Sequence, residues 1–126
     1  MKKHINKLMK SIKEHLRTPK EIIIDGKKRL SFPMQDNKME PLIPEGESLI
    51  FNPYENKIED GEIYLILISG FFKIRKLRVT EHIFLKRFKR KSIEITILNP
   101  LIKYEPVVLP IKDIKVFGKL CDRLGL

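Results

Sequence analysis

Apolar positions along the chain recur at two different periods. Ile5, Leu8, Met9, Ile12 and Leu16 fall at helical spacing with Lys and His between them, which predicts an amphipathic helix over residues 2–17. Thr18-Pro19 ends it, because proline disfavours helix in the residue before it and brings no amide donor. From residue 20 the pattern is that of strands. Glu21-Ile22-Ile23-Ile24 is β-branched and stops at the turn pair Asp25-Gly26. Leu49-Ile50-Phe51 follows the turn Pro44-Glu45-Gly46-Glu47. Residues 63–68 are all apolar and close at Gly70, the signature of a short strand buried on both faces. Ile93, Ile95 and Ile97 alternate with polar residues, as a half-buried strand does. Val107-Val108-Leu109 and residues 114–120 supply the last strands.

The reading is one compact unit that is mainly β after a helical leader. Residues 1–30 form the basic leader with the first strand, and residues 31–126 form the β domain. With 126 residues and a hydrophobic fraction of 42%, the chain has the size and apolar content of one domain with a core. No apolar run approaches the roughly 18–20 residues that span a bilayer. The basic N-terminus lacks both a continuous apolar segment and a small-residue cleavage site, so it does not read as a secretory signal. A single cysteine, Cys121, makes no internal disulfide and fits a reducing compartment. The expectation is a cytoplasmic protein with no membrane partner.

The formal charge of +10 changes the picture through its distribution. Residues 1–30 hold ten Lys/Arg against three acids, and residues 73–91 hold nine against one. The remainder carries seven against twelve, so two basic segments flank an acidic middle. Such segments attract phosphate backbones or acidic proteins. The plainer account is a solvated basic surface in a chain rich in Ile and Lys and devoid of Ala. The leading helix could lie on nucleic acid or a membrane, but packing on its own domain is the favoured reading. It is too short for a helix-turn-helix module.

Residues 36–53 bring in candidate chemistry. Met39-Glu40-Pro41 followed by Ile43-Pro44-Glu45-Gly46-Glu47 resembles the signature of LexA-type self-cleaving peptidases, a Gly-Asp-Ser-Met-Glu-Pro-like segment, a Pro-x-Gly-Asp turn and an apolar strand. Further landmarks follow in order. Asp60-Gly61-Glu62-Ile63-Tyr64 resembles the acidic residue and glycine before an Ile/Val-rich strand, and Asn99-Pro100 with Tyr104 and Pro106 resembles an Asn-Pro-x-Tyr-x-Pro element with a slightly longer spacer. The segment 111–120 is similar to the closing strand. The resemblance covers residues 36–121 and implies the LexA-type (β-clip) peptidase-like fold. It also implies homodimerisation near residues 111–120 and a role in transcription regulation or a stress response.

A serine–lysine peptidase needs a hydroxyl nucleophile and a lysine held neutral by burial. The residue before Met39, the serine position by resemblance, is Lys38. The lysine position falls on Arg75 if Ile74-Arg75-Lys76-Leu77 is matched to the Val-Lys-Arg-Leu-like strand. A guanidinium stays protonated in proteins and cannot serve as a base. Phe84-Leu85-Lys86-Arg87-Phe88 also resembles that strand, which would make Lys86 the base and residues 71–83 an inserted hairpin. Relatives cut an Ala-Gly or Cys-Gly bond. Here there is no Ala, and Cys121 precedes Asp122. The expectation is a catalytically inactive regulatory or dimerisation module whose cationic cleft binds an acidic protein or is vestigial.

Two rivals stand beside it. A nucleic-acid-binding protein would use residues 2–29 and 73–91, with Lys86, Arg87, Lys89 and Arg90 around the stacking rings Phe84 and Phe88. An active serine peptidase would use displaced residues such as Ser48 or Lys86. His4, His15 and His82 are scattered, and no metal-ligand spacing or Gly-rich phosphate loop is present, so neither metal nor cofactor is expected.

Overall fold

The computed structural model describes residues 18–84, 88–103 and 106–123, with the side chains of 82–84 and 88–90 left aside. The helix expected over residues 2–17 lies outside the described residues. The described residues form eight strands: β1 (Lys20–Ile24), β2 (Lys27–Pro33), β3 (Ser48–Asn52), β4 (Ile63–Ile68), β5 (Phe71–Phe84), β6 (Phe88–Thr96), β7 (Val107–Pro110) and β8 (Lys115–Arg123). They form one antiparallel sheet in the order β1-β2-β3-β8-β4-β5-β6-β7, so the mainly β expectation holds.

Local chemistry explains the tight turns. Asp25 and Gly26 both take positive φ, 51° and 75°, in the two-residue link between β1 and β2. Ser69 and Gly70 repeat this between β4 and β5 with φ of 49° and 82°. Paired positive φ matches the twist of a hairpin, and Gly takes it at no steric cost. The strand Lys27–Pro33 has no counterpart in the sequence reading. Its Lys-Lys-Arg start hides a strand that buries only Leu30 and Phe32 among its seven residues. Ile97, expected to extend the alternating strand, falls just past the end of β6.

The apolar run of β4 is buried on both faces, as its composition predicts. Leu65 joins a core with Phe32, Met39, Ile43, Phe51 and Ile74. Its neighbours Tyr64 and Ile66 point the other way, into a second core with Leu77, Ile93, Ile95 and Ile114. Alternate residues of a strand face opposite sides, so one six-residue segment serves two cores. Burying each such side chain is worth about 1.5–3 kcal/mol, which makes β4 the main internal wall.

Strand β5 links the two parts of the sheet. Phe71 to Lys76 pairs with β4, and Lys76 to Phe84 pairs with β6. Residues 71–83 are therefore part of one continuous strand rather than a hairpin of their own. Strand β8 fits between β3 and β4, with an irregular register against each. Gly118 permits that fit: a Cβ there would lie 2.6 Å from the carbonyl oxygen of Asn52.

Candidate functional site

The segment between β2 and β3 is tied at its base and plugged into the first core. The Met34 amide donates to Glu47 O (2.8 Å), and the Gly46 amide donates back to Met34 O (2.8 Å). Inside this loop, Ile43 N donates to Met39 O (2.9 Å), and Met39 and Ile43 are fully buried. Gly46 supplies the positive φ of 88° that the turn into β3 requires. The Glu40-Pro41 peptide is cis. Arg123, on the last strand, clamps the loop from outside through Glu47 (Nε to Oε1, 2.6 Å) and Leu42 O (2.7 Å). That hydrogen bond to Arg123 holds the Glu47 carboxyl below its ordinary range, against an opposing push from burial.

Lys38 is set in place by its backbone. Its amide donates to Asp36 Oδ1 (3.1 Å), and its carbonyl accepts from the amides of Leu98 (3.0 Å) and Asn99 (2.9 Å). Asn99 is buried, and its side-chain amide donates to Asn37 O (2.8 Å) while its Oδ1 accepts from Leu101 N (2.9 Å). Two landmarks far apart in sequence therefore meet: the Asn-Pro element holds the backbone on which Lys38 stands.

Opposite Tyr64 in the β4–β5 ladder lies Arg75, whose side chain is only 4% exposed. Asp36 meets its guanidinium with both carboxylate oxygens, Nη2 to Oδ2 at 2.8 Å and Nη1 to Oδ1 at 3.4 Å. Nη1 also donates to the carbonyl of Ile74 (2.7 Å). A guanidinium so deep needs such an arrangement, because an unpaired buried charge is costly. The sequence reading did not single out Asp36. Its signal was an acid where the similar family segment has glycine, two residues before Lys38.

Lys38 and Arg75 are brought together with Lys73 in one cleft of about 230 Å³. Lys73 sits two residues before Arg75 and so on the same face of β5. Ile68, Ile95 and Leu109 contribute apolar lining. Although Lys73 reaches solvent, burial pushes its amine below the ordinary lysine value, and the charges of Arg75 and Lys38 push the same way. Asp36 acts in the opposite direction and is outweighed. Among the described residues, neither Lys38 nor Lys73 has an ion-pair partner. No hydroxyl or thiol side chain among the described residues lines this cleft.

The other residues singled out from the sequence lie elsewhere. Ser48 begins β3 and lines a separate groove with Ser31 and Thr18. Lys86 and Arg87 are outside the described residues, whereas the backbones of Lys89 and Arg90 lie on β6 opposite Ile83 and His82. Among the described residues, no group of His, Cys, Asp or Glu is arranged to hold a metal ion. No described helix is long and apolar enough to cross a membrane.

A single antiparallel sheet with a Met-Glu-Pro turn that buries Met39, beside a strand that carries a deeply placed cation, defines a LexA-type, peptidase-like β domain. The Peptidase S24-like family model matches residues 5–121, and the chain belongs to that family. A comparison with curated proteins finds no match.

Proposed function

We propose that this chain is a non-catalytic member of the Peptidase S24-like family, acting as a regulatory or dimerisation module. The observation that carries the reading is the pairing of Asp36 with Arg75 beside Lys38. By resemblance these two basic residues occupy the positions of the hydroxyl nucleophile and the neutral amine. A guanidinium has only donors, and Asp36 occupies the ones it would turn toward a reacting group. An ammonium at position 38 has no lone pair with which to attack a carbonyl. The direct test is incubation at alkaline pH with fragment detection by mass spectrometry, together with labelling by a serine-reactive fluorophosphonate. The intact, unlabelled chain is expected. A fragment or label that disappears on Ser48→Ala or Lys86→Ala would overturn the reading in favour of a displaced active site.

The regulatory role rests on association. Strand β8 has both edges paired within the chain, to β3 and β4, so a second copy would meet this region through side chains. Ile111, in the turn before β8, is an exposed apolar residue suited to that contact. Sedimentation should show a dimer that Ile111→Asp weakens, and a monomer at every concentration would remove the dimerisation part.

A second reading has one supporting observation. The described backbone of the basic segment 73–91 lies on the paired strands β5 and β6, with Lys73, Arg75, Lys76 and Arg78 on the first of them. Nucleic-acid binding there would fall steeply with salt. Absence of binding at low salt dismisses it.

A further inference from the structure

The Arg75 charge is answered by Asp36, which leaves two ammonium groups of the same cleft, Lys38 and Lys73, unanswered by any ion-pair partner among the described residues. Lys38 is half-buried and Lys73 exposed, and apolar side chains line the cleft beside them. Ile68, Ile95 and Leu109 share the lining, and the volume of about 230 Å³ lies below the roughly 300–1,000 Å³ of pockets that take drug-sized ligands. Like charges held close in partly apolar surroundings repel one another and favour any anion that settles between them.

We propose that this cleft is a receptor for a carboxylate carried on a branched aliphatic body about one amino-acid residue in size. Lys38 and Lys73 take the carboxylate, and the Ile68, Ile95 and Leu109 side chains take the aliphatic part. Apolar lining disfavours a phosphate, which has no aliphatic body to cover Ile68, Ile95 and Leu109 and would hold its charged oxygens against them. Arg75 stays engaged with Asp36 and supplies background charge rather than the primary contact. The cleft includes Val107 and Leu109 of β7, the strand at one end of the sheet. The same chemical group could therefore arrive as a free acid or as the C-terminal residue of a peptide running past that end. The proposal rests on the non-catalytic reading, since it assigns Lys38 to binding.

Calorimetry at low salt with N-acetyl-leucine, N-acetyl-leucinamide and a peptide ending in a free leucine tests it. The acid should bind at least tenfold more tightly than the amide. Lys38→Gln and Lys73→Gln should each weaken it about tenfold, the size of one charge-assisted hydrogen bond, and Lys→Arg at either position should retain binding. Circular dichroism confirms that each variant is folded. A peptide that binds more tightly than the acid identifies a chain end as the source, and equal affinity identifies the free acid. Equal binding of acid and amide, or none of the acid, overturns the proposal. Such a failure leaves the fluorophosphonate result, and with it the non-catalytic reading, untouched.

Discussion

The two faces of the β4–β5 sheet are made from alternating residues of the same strands, yet they hold opposite contents. On one face Leu65 and Ile74 meet Met39 and Ile43 in a closed apolar core. On the other, Tyr64 and Ile66 pack beside a strand face that carries Lys73 and Arg75 toward a small open cleft. The first face is packed with apolar side chains, and its loop is fastened at the rim by backbone hydrogen bonds and Arg123. The second adds a specific ion pair, Arg75 with Asp36, to its own apolar core, and among the described residues Lys38 and Lys73 beside it have no ion-pair partner.

The largest expected effect breaks the first face. Met39→Ala leaves a void in a fully buried site and should cost about 3 kcal/mol in urea denaturation. Asp36→Ala breaks the second face by leaving Arg75 buried without a counter-charge. Removing one partner of a fully buried pair costs about 3–5 kcal/mol, and because Asp36 is itself 32% exposed, about 2 kcal/mol is expected here. Asp36→Ala with Arg75→Met should recover most of that loss, which distinguishes a counter-charge from a packing role.

Gly118→Ala tests whether the two cores depend on the close approach of β8 to β3. The added methyl would press on the Asn52 carbonyl, and overpacking of this kind costs about 1–3 kcal/mol, readable as a lower Tm. Acid should act through the loop clamp. The folded-state pKa of Glu47 lies below the unfolded value of 4.5, so its contribution is present above pH 4.5 and is lost as pH falls through the folded value. Arg123→Gln should therefore flatten that part of the acid limb of a stability–pH curve.

Lys38→Ala should move stability least, within about 0.5 kcal/mol and toward greater stability, because it relieves repulsion in the cleft. NMR titration should show the Lys73 amine returning toward its ordinary value. Since the folded Lys73 titrates below the unfolded 10.5, the folded state sheds its proton first. Its contribution to stability accordingly rises with pH between the folded value and 10.5, and this rise should shrink in Lys38→Ala. A large loss of stability would instead mean that the ammonium has a structural partner.

Much of this was legible in the residues. The six-residue apolar run announced a wall buried on both faces, Asp25-Gly26 and Gly70 marked the strand ends, and the Met-Glu-Pro segment carried the family resemblance. Period and turn chemistry are local, so sequence carries them. The strand at Lys27–Pro33 escaped because its charged start masks the alternation of Leu30 and Phe32. Asp36 escaped for a different reason: an acid in a loop has no meaning until a strand 39 residues later brings a guanidinium against it. The types of side chain were written in the chain from the start. Which of them would share a cleft, and which charges would be left without a partner there, depended on the register of β4 against β5 and on Asn99 fastening the loop. Distances between residues remote in sequence are fixed by packing alone.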